Sequence, residues 1–344
     1  MGLLEMGDIA GCRIIVKHEQ HIPKIIKAIE EKLNVVDRRD YISNPRESGY
    51  RSYHLMIKPE SGDNLKRLVE VQIRSQEHHN WATLVEITDQ LYSVKVKEGE
   101  KETKLERFHF LLSKRISELC LNEMVEIIKI EKEMDIYVSI IRVILKNHIK
   151  IRSAWLNLNY DKKDKYFILE VNSSYETNII TYSDFEIAQT EYLNKFIKTD
   201  SNVVLTHISD ANFDKISTAY SNYVLTMHKY ELDIFRLLFE IVATYANNGD
   251  LANYDKYIEY ASKLFKQTKR HVNLSIDKCF NSSYEEEKKM EWISELEGRV
   301  NRISPVVDKI TRIEFNHNKQ KKPRKVTPKI EPTLYKKFLI WLNT

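Results

Sequence analysis

The chain has 344 residues, 42% of them hydrophobic and 30% charged, with a formal net charge of +4. That composition is ordinary for a globular protein of two or three compact units. The charge excess is too small to establish nucleic-acid binding, but it is compatible with an anionic substrate such as a nucleotide. Cys12, Cys120 and Cys279 lie far apart in sequence and form no CxxC pair, so no disulfide framework or zinc site is suggested and a reducing cytosol is the default. Met1 to Arg13 lacks a basic segment followed by an apolar core, and no run of about 18 apolar residues occurs, so no signal peptide or membrane span is expected. The chain reads as cytoplasmic, with no membrane partner.

In chain order, Ile9 to Val16 is apolar and β-branched around Gly11 and predicts a buried strand. His21 to Leu33 has helical spacing, with Pro23 tolerable in the first turn. Asp37 to Tyr50, rich in Arg, Asp, Asn, Pro and Gly, reads as a loop. Tyr53 to Lys58 and Leu68 to Arg74 read as strands joined by a turn at Gly62-Asp63, and Glu77 to Tyr92 as a helix. This order implies one mixed α/β layer over residues 1–95, ended by a charge-dense break from Lys95 to Lys104. Residues 105–150 have helical periodicity and predict a helical connector. Residues 151–215 suggest a small α+β module, built from strands near Phe167, Ile179 and Val203 and a helix from Phe185 to Phe196. Residues 216–302 read as helical, with a break at Asn247 to Asp250. A basic, proline-containing linker over 317–332 and a short amphipathic segment over 333–344 complete the chain. The expected class is α+β: a mixed-sheet domain, then a helical region with a small α+β insert.

Chemistry concentrates in the first hundred residues. Asp8 opens the first strand. Glu70 alternates with Val69, Val71 and Ile73, so Glu70, Gln72 and Arg74 share one strand face. A carboxylate beside arginines in a hydrophobic sheet is costly unless a cation or an anionic ligand neutralises it. Two carboxylates could hold Mg²⁺, which binds phosphate oxygens while keeping several waters. Arg13, Arg38, Arg39, Arg46, Arg51 and Arg74 have the planar fork that matches phosphate. Tyrosines between Asp40 and Tyr53 could stack on a nucleobase, worth about 1–3 kcal/mol per base. Together these outline a phosphotransfer site. On residues alone, Asp8 and Glu70 could equally be structural strand-end acids and Tyr50 a packed loop residue. Trp81 reads as core.

Four segments stand in a telling order: Asp8-Ile9-Ala10-Gly11-Cys12-Arg13; Arg39-Asp40-Tyr41-Ile42 continuing through Pro45-Arg46 to Gly49-Tyr50-Arg51-Ser52-Tyr53-His54; Glu70-Val71-Gln72-Ile73-Arg74-Ser75; and His79-Asn80-Trp81-Ala82. This set resembles the RelA/SpoT family of (p)ppGpp synthetases over about residues 1–95. The resemblance implies a nucleotidyltransferase-like mixed sheet that moves pyrophosphate from ATP to the 3′-hydroxyl of GDP or GTP. It implies Asp8 and Glu70 as catalytic carboxylates on Mg²⁺, with Glu70 also the base on the acceptor hydroxyl. Tyr50 would stack on the acceptor base with Arg51 and His54 beside it. Arg13 and Arg74 would hold phosphates, and Gln72 joins the substrate-binding set through its shared face. Arg39 and Arg46 stand where the family often has lysine, and Ser75 where it has threonine.

The family also places a helix and a basic Arg-x-Lys segment ahead of this strand. Asp8 stands near the start here, so the domain is expected to lack its N-terminal, ATP-gripping part. Two other readings follow from the same motifs. One is a toxin or phage-defence relative that modifies tRNA 3′ ends or makes other alarmones, its lysines at 95–104 and 319–329 holding RNA. The other is a lapsed guanine-nucleotide-binding regulator. Small members often form oligomers, so a homo-oligomer is among the expected states.

Overall fold

The computed structural model describes residues 10–59, 68–92, 103–157, 166–172, 177–198, 202–207, 216–217, 220, 223 and 228–315. β1 (Ala10–Val16) leads through a short 3-10 turn into α1 (Ile22–Glu30), where Pro23 sits in the first turn and costs no hydrogen bond. β2 (Val35–Asp40), β3 (Tyr53–Ile57) and β4 (Val69–Ser75) follow. The strand order is β1-β4-β3-β2, with β1 and β4 parallel and the other pairs antiparallel. The fold class is thus α+β with a mixed sheet. Position 37 proves to be strand rather than the start of a loop. β2 is an edge strand, and an edge wetted on its outer side tolerates Asp37, Arg38, Arg39 and Asp40 in succession. The turn expected at Gly62-Asp63 lies outside the described residues.

α1 covers one face of the sheet. Its Ile22, Ile25, Ile26 and Ile29 pack on Leu55, Ile57, Val71 and Ile73. The opposite face of β4 carries Glu70, Gln72 and Arg74. Strand period two therefore divides the sheet into an apolar and a polar side.

β4 runs without a break into α2 (Gln76–Tyr92). Leu84 and Ile87 of α2 enter a helical core shared with α3 (Thr103–Leu112), α4 (Leu121–Met134), α5 (Ile136–Asn157), α7 (Tyr230–Asn248), α8 (Leu251–Phe280) and α9 (Glu286–Thr311). Residues 105–145 and 230–302 are therefore not separate units: they interleave in one bundle, whereas Ile216 packs in the core of the small α+β module. Gly249, at φ 72°, makes the break between α7 and α8, and Asp250 caps α8 by accepting from the Asn253 amide at 3.1 Å. A second break at Asn281–Glu285 and the extension of α9 to Thr311 go beyond the sequence reading. Lys104, assigned to the charged break, is helical.

The small α+β module consists of β5 (Tyr166–Val171), β6 (Thr177–Tyr182), α6 (Phe185–Lys198) and β7 (Asn202–His207), in an antiparallel sheet of order β6-β5-β7. Its core joins Phe167, Leu169 and Ile179 to Ile151 and Trp155 of α5. The boundary drawn at 150 thus falls inside α5, one helix that serves two cores. The basic linker over 317–332 and the segment over 333–344 lie outside the described residues.

Asp135, in the left-handed conformation at φ 53°, makes the corner between α4 and α5. Glu131, with 0% exposure, reaches across it: its carboxylate accepts from the Tyr137 amide at 3.2 Å and from the Tyr260 hydroxyl. Burial pushes its carboxyl up from 4.5 to about 7, against those two hydrogen bonds. A folded pKa above the unfolded one means that folding takes up a proton. The associated stability is complete below about pH 4.5 and is lost as pH rises to about 7. Glu131→Gln keeps the shape and an acceptor but removes the titration. Wild type should lose melting temperature relative to this variant between about pH 5 and pH 8; a gap constant with pH would refute the assignment.

Candidate active site

Cross-strand register assembles the polar face. Arg39 of β2 pairs with His54 of β3, His54 with Gln72 of β4, and Gln72 with Arg13 of β1. Four of the residues singled out in the sequence thus form one row across the sheet. In the neighbouring row Asp37, Met56, Glu70 and Gly11 are partners. A Cβ on Gly11 would approach the Glu70 carbonyl oxygen to 3.0 Å, so glycine lets β1 run close to the β4 backbone at Glu70.

The side chains close a hydrogen-bonded circuit. The Arg74 Nη2 donates to the Tyr50 hydroxyl at 2.6 Å and to Gln72 Oε1 at 2.8 Å. Gln72 Nε2 donates to Glu70 Oε2 at 2.8 Å. On the other arm, the Tyr50 hydroxyl lies 2.9 Å from His54 Nε2, and His54 Nδ1 lies 2.7 Å from Glu70 Oε1. A carboxylate oxygen only accepts, so Nδ1 carries the imidazole proton, Nε2 accepts, and the Tyr50 hydroxyl donates to it. Both arms therefore start at the Arg74 cation and end on the Glu70 carboxylate. Burial lowers the pKa of His54, with Glu70 opposing, which keeps the ring in the neutral form this direction requires. Burial also lowers the pKa of Arg74, with nearby Arg13 adding to the shift.

The Asp40-to-His54 loop supplies the rest. Tyr41, Tyr50 and His54 meet edge to face, with ring centroids 5.2, 5.9 and 6.0 Å apart. The Arg46 guanidinium lies 4.5 Å from the Tyr41 ring centre and 5.3 Å from that of Tyr50, and donates to the Tyr41 hydroxyl at 3.2 Å. Arg46 and Arg39 lower the pKa of Tyr41. Asp40 shapes the turn by accepting from the Ile42 and Ser43 amides, both at 2.9 Å.

Of the residues picked from the sequence, Glu70, Gln72, Arg74, His54 and Tyr50 form the circuit, and Arg13, Arg39 and Arg46 stand around it. Arg51 is not brought to this face. It donates to the Ile42 carbonyl at 3.1 Å and lines a cavity of about 900 Å³ between the domain and the bundle. Arg38 pairs with Glu30 at 2.6 Å, away from the circuit. Asp8 lies outside the described residues. Tyr41 was counted in sequence only among the loop tyrosines able to stack and was given no site role of its own, although it stands within the Arg39-Asp40-Tyr41 motif.

The model of the "Region found in RelA / SpoT proteins" matches residues 3–97. This front domain is a RelA/SpoT region. GTP pyrophosphokinase YjbM of Bacillus subtilis is 40% identical over 103 residues, which is 28% of this chain and 48% of that protein. GTP pyrophosphokinase YwaC of the same organism is 39% identical over 82 residues, 22% of this chain and 39% of that one. The chain thus spans about half or less of the length of these relatives. The solved structure of small alarmone synthetase 1 from Bacillus subtilis bound to its product pppGpp is 34% identical, with TM-score 0.28, over 33% of this chain and 60% of that one. The circuit and its arginines all lie within the RelA/SpoT region.

Arg74→Met should strip the only charged donor from both arms and cost about 1–3 kcal/mol, because the half-buried Tyr50 and Gln72 acceptors lose their partner. Tyr50→Phe should cost about 1 kcal/mol, and the double variant less than the sum. Urea unfolding of the four proteins measures the coupling; strict additivity would refute the circuit.

Proposed function

We propose that the RelA/SpoT region moves a pyrophosphoryl group from ATP to the 3′-hydroxyl of GDP or GTP. The observation that carries this reading is the oriented Glu70 carboxylate among four arginines. His54 and Gln72 each hold one of its oxygens, leaving a second lone pair on each for the acceptor hydroxyl. As that hydroxyl loses its proton to Glu70, its oxygen bonds to the β-phosphorus of ATP. The bond to the α-phosphate oxygen breaks and AMP departs. Arg13, Arg39, Arg46 and Arg74 are the cations that would meet the charge developing on the phosphate oxygens.

Tyr50 would take the acceptor base on its ring while its hydroxyl stays in the circuit, so base recognition and the base catalyst share one hydrogen-bonded unit. Arg46 now covers that ring, but it is exposed and tied to Tyr41, and it can shift to a phosphate. Mg²⁺ suits the chemistry of the donors: each Glu70 oxygen keeps accepting capacity beyond its one hydrogen bond, and Asp8 would be its companion ligand. Bound there, the ion would neutralise phosphate charge.

The assay is purified protein with β,γ-labelled ATP and GDP, GTP or tRNA as acceptors. Label is expected on the guanine nucleotide, and its absence with any guanine acceptor would end this reading. Transfer to tRNA would move the acceptor to RNA. Glu70→Gln should lower kcat at least about 100-fold with a similar acceptor KM. Tyr50→Ala should raise acceptor KM roughly tenfold, the value of one lost base stack.

A further inference from the structure

The Tyr50 loop is built on Gly49, whose φ of 89° suits glycine. Its amide donates to the Arg46 carbonyl at 2.8 Å, and the Arg46 amide donates to the Tyr50 carbonyl at 3.2 Å, so the three residues turn as one unit. Gly49 has a second constraint. A Cβ there would lie 2.3 Å from Ser113 Oγ and 2.5 Å from Ser113 Cβ, with Phe110 Cα next at 3.6 Å. All three atoms belong to the last turn of α3 and the residue after it, beyond the 3–97 match.

That seat is rigid. The Ser113 amide donates to the His109 carbonyl at 2.9 Å and its hydroxyl donates to the Phe110 carbonyl at 2.7 Å. The same turn is bolted to α2 twice: Trp81 Nε1 donates to the His109 carbonyl at 2.8 Å, and the His109 ring meets Thr88 Oγ1 at 2.7 Å. His109 is 1% exposed, and burial lowers its pKa to about 3, so the ring stays neutral. Leu105, Phe108 and Leu111 anchor α3 in the bundle core. Beside Ser113 and Gly49 opens the cavity of about 900 Å³.

We propose that Ser113 is a positioning residue for the acceptor nucleotide. Its backbone and Cβ set the depth of the Gly49 turn, and through it the placing of the Tyr50 ring and hydroxyl. The helical extension thereby takes part in acceptor recognition without touching the acceptor. This inference rests on the reading of Tyr50 as the acceptor-base platform.

Ser113→Leu pushes on the turn and Ser113→Gly withdraws the seat. Both should weaken acceptor affinity, measured by calorimetry with GDP in the absence of ATP, and raise acceptor KM about tenfold or more. KM for ATP should move less than about twofold. A general loss of structure would move both substrates together, so the split is diagnostic, and thermal melts report folding directly. Should Ser113→Leu fail to fold, Ser113→Gly and a cycle with Gly49→Ala decide the matter. Gly49→Ala carries both the φ strain and the clash, and adding Ser113→Gly should recover part of the lost GDP affinity. Wild-type binding of GDP with unchanged affinity in Ser113→Gly, and no recovery in the cycle, would overturn this inference and leave the proposed function intact. Failure of wild type to bind GDP would overturn both.

Discussion

A carboxylate on a half-buried sheet face must be held by donors, and at Glu70 those donors determine what the site can do. Both carboxylate oxygens receive a neutral N–H, from His54 and from Gln72; Arg74 addresses Gln72 directly and His54 through the Tyr50 hydroxyl. The direction of donation is uniform along each arm. Protonation of His54 would reverse one link, because Nε2 would then point an N–H at a Tyr50 hydroxyl already accepting from Arg74. Burial of the imidazole works against that reversal. In the proposed transfer, a proton delivered to Glu70 would arrive at a group whose neighbours are already hydrogen-bonded. Little reorganisation accompanies it, the condition under which electrostatic preorganisation is most effective.

The same residues tie the site to the rest of the molecule. Arg74 is followed at once by Ser75, whose hydroxyl accepts from the His78 amide at 3.2 Å at the start of α2. α2 then carries Leu84 and Ile87 into the bundle core. One end of this helix therefore begins beside the circuit, while its middle is buried in the bundle, where it meets α3 and α5. The front domain and the bundle keep separate hydrophobic cores, and α2 is the element that runs from the end of β4 into the second.

How much of this was legible in sequence depended on the range of the interaction. The alternation of Glu70, Gln72 and Arg74 with apolar neighbours identified one polar face, because strand period two is a local property. That His54 would stand opposite Gln72 required the β3–β4 register, which the intervening residues do not specify. β2 was hidden for a different reason: its charges suit a loop by composition, and an edge position makes them acceptable in a strand. The long run of α5 was masked because its last turns change partners, from the bundle to Phe167 and Leu169, so its apolar stripe shifts near Ile151. The contact of Ser113 with Gly49 left no trace in local pattern. A glycine before tyrosine in a turn is adequately explained by its φ alone, and the crowding that also demands it comes from residues far along the chain.

The Gly49-Tyr50-Arg51-Ser52 segment shows why site and extension are hard to separate. In extended backbone, successive side chains point to opposite sides. Tyr50 turns its hydroxyl into the circuit, and Arg51 turns the other way, towards the Ile42 carbonyl and the cavity that Tyr230 and Arg236 of α7 also line. Ser52, fully buried, donates to the Ile73 carbonyl at 3.3 Å and pins the segment to β4. The motif that reads as a single recognition loop in sequence is, in space, a two-sided partition. One side faces the proposed acceptor and the other faces the extension. Any shift of α3 or α7 against Arg51 must be absorbed by a backbone that also carries Tyr50, with Ser52 as its pivot.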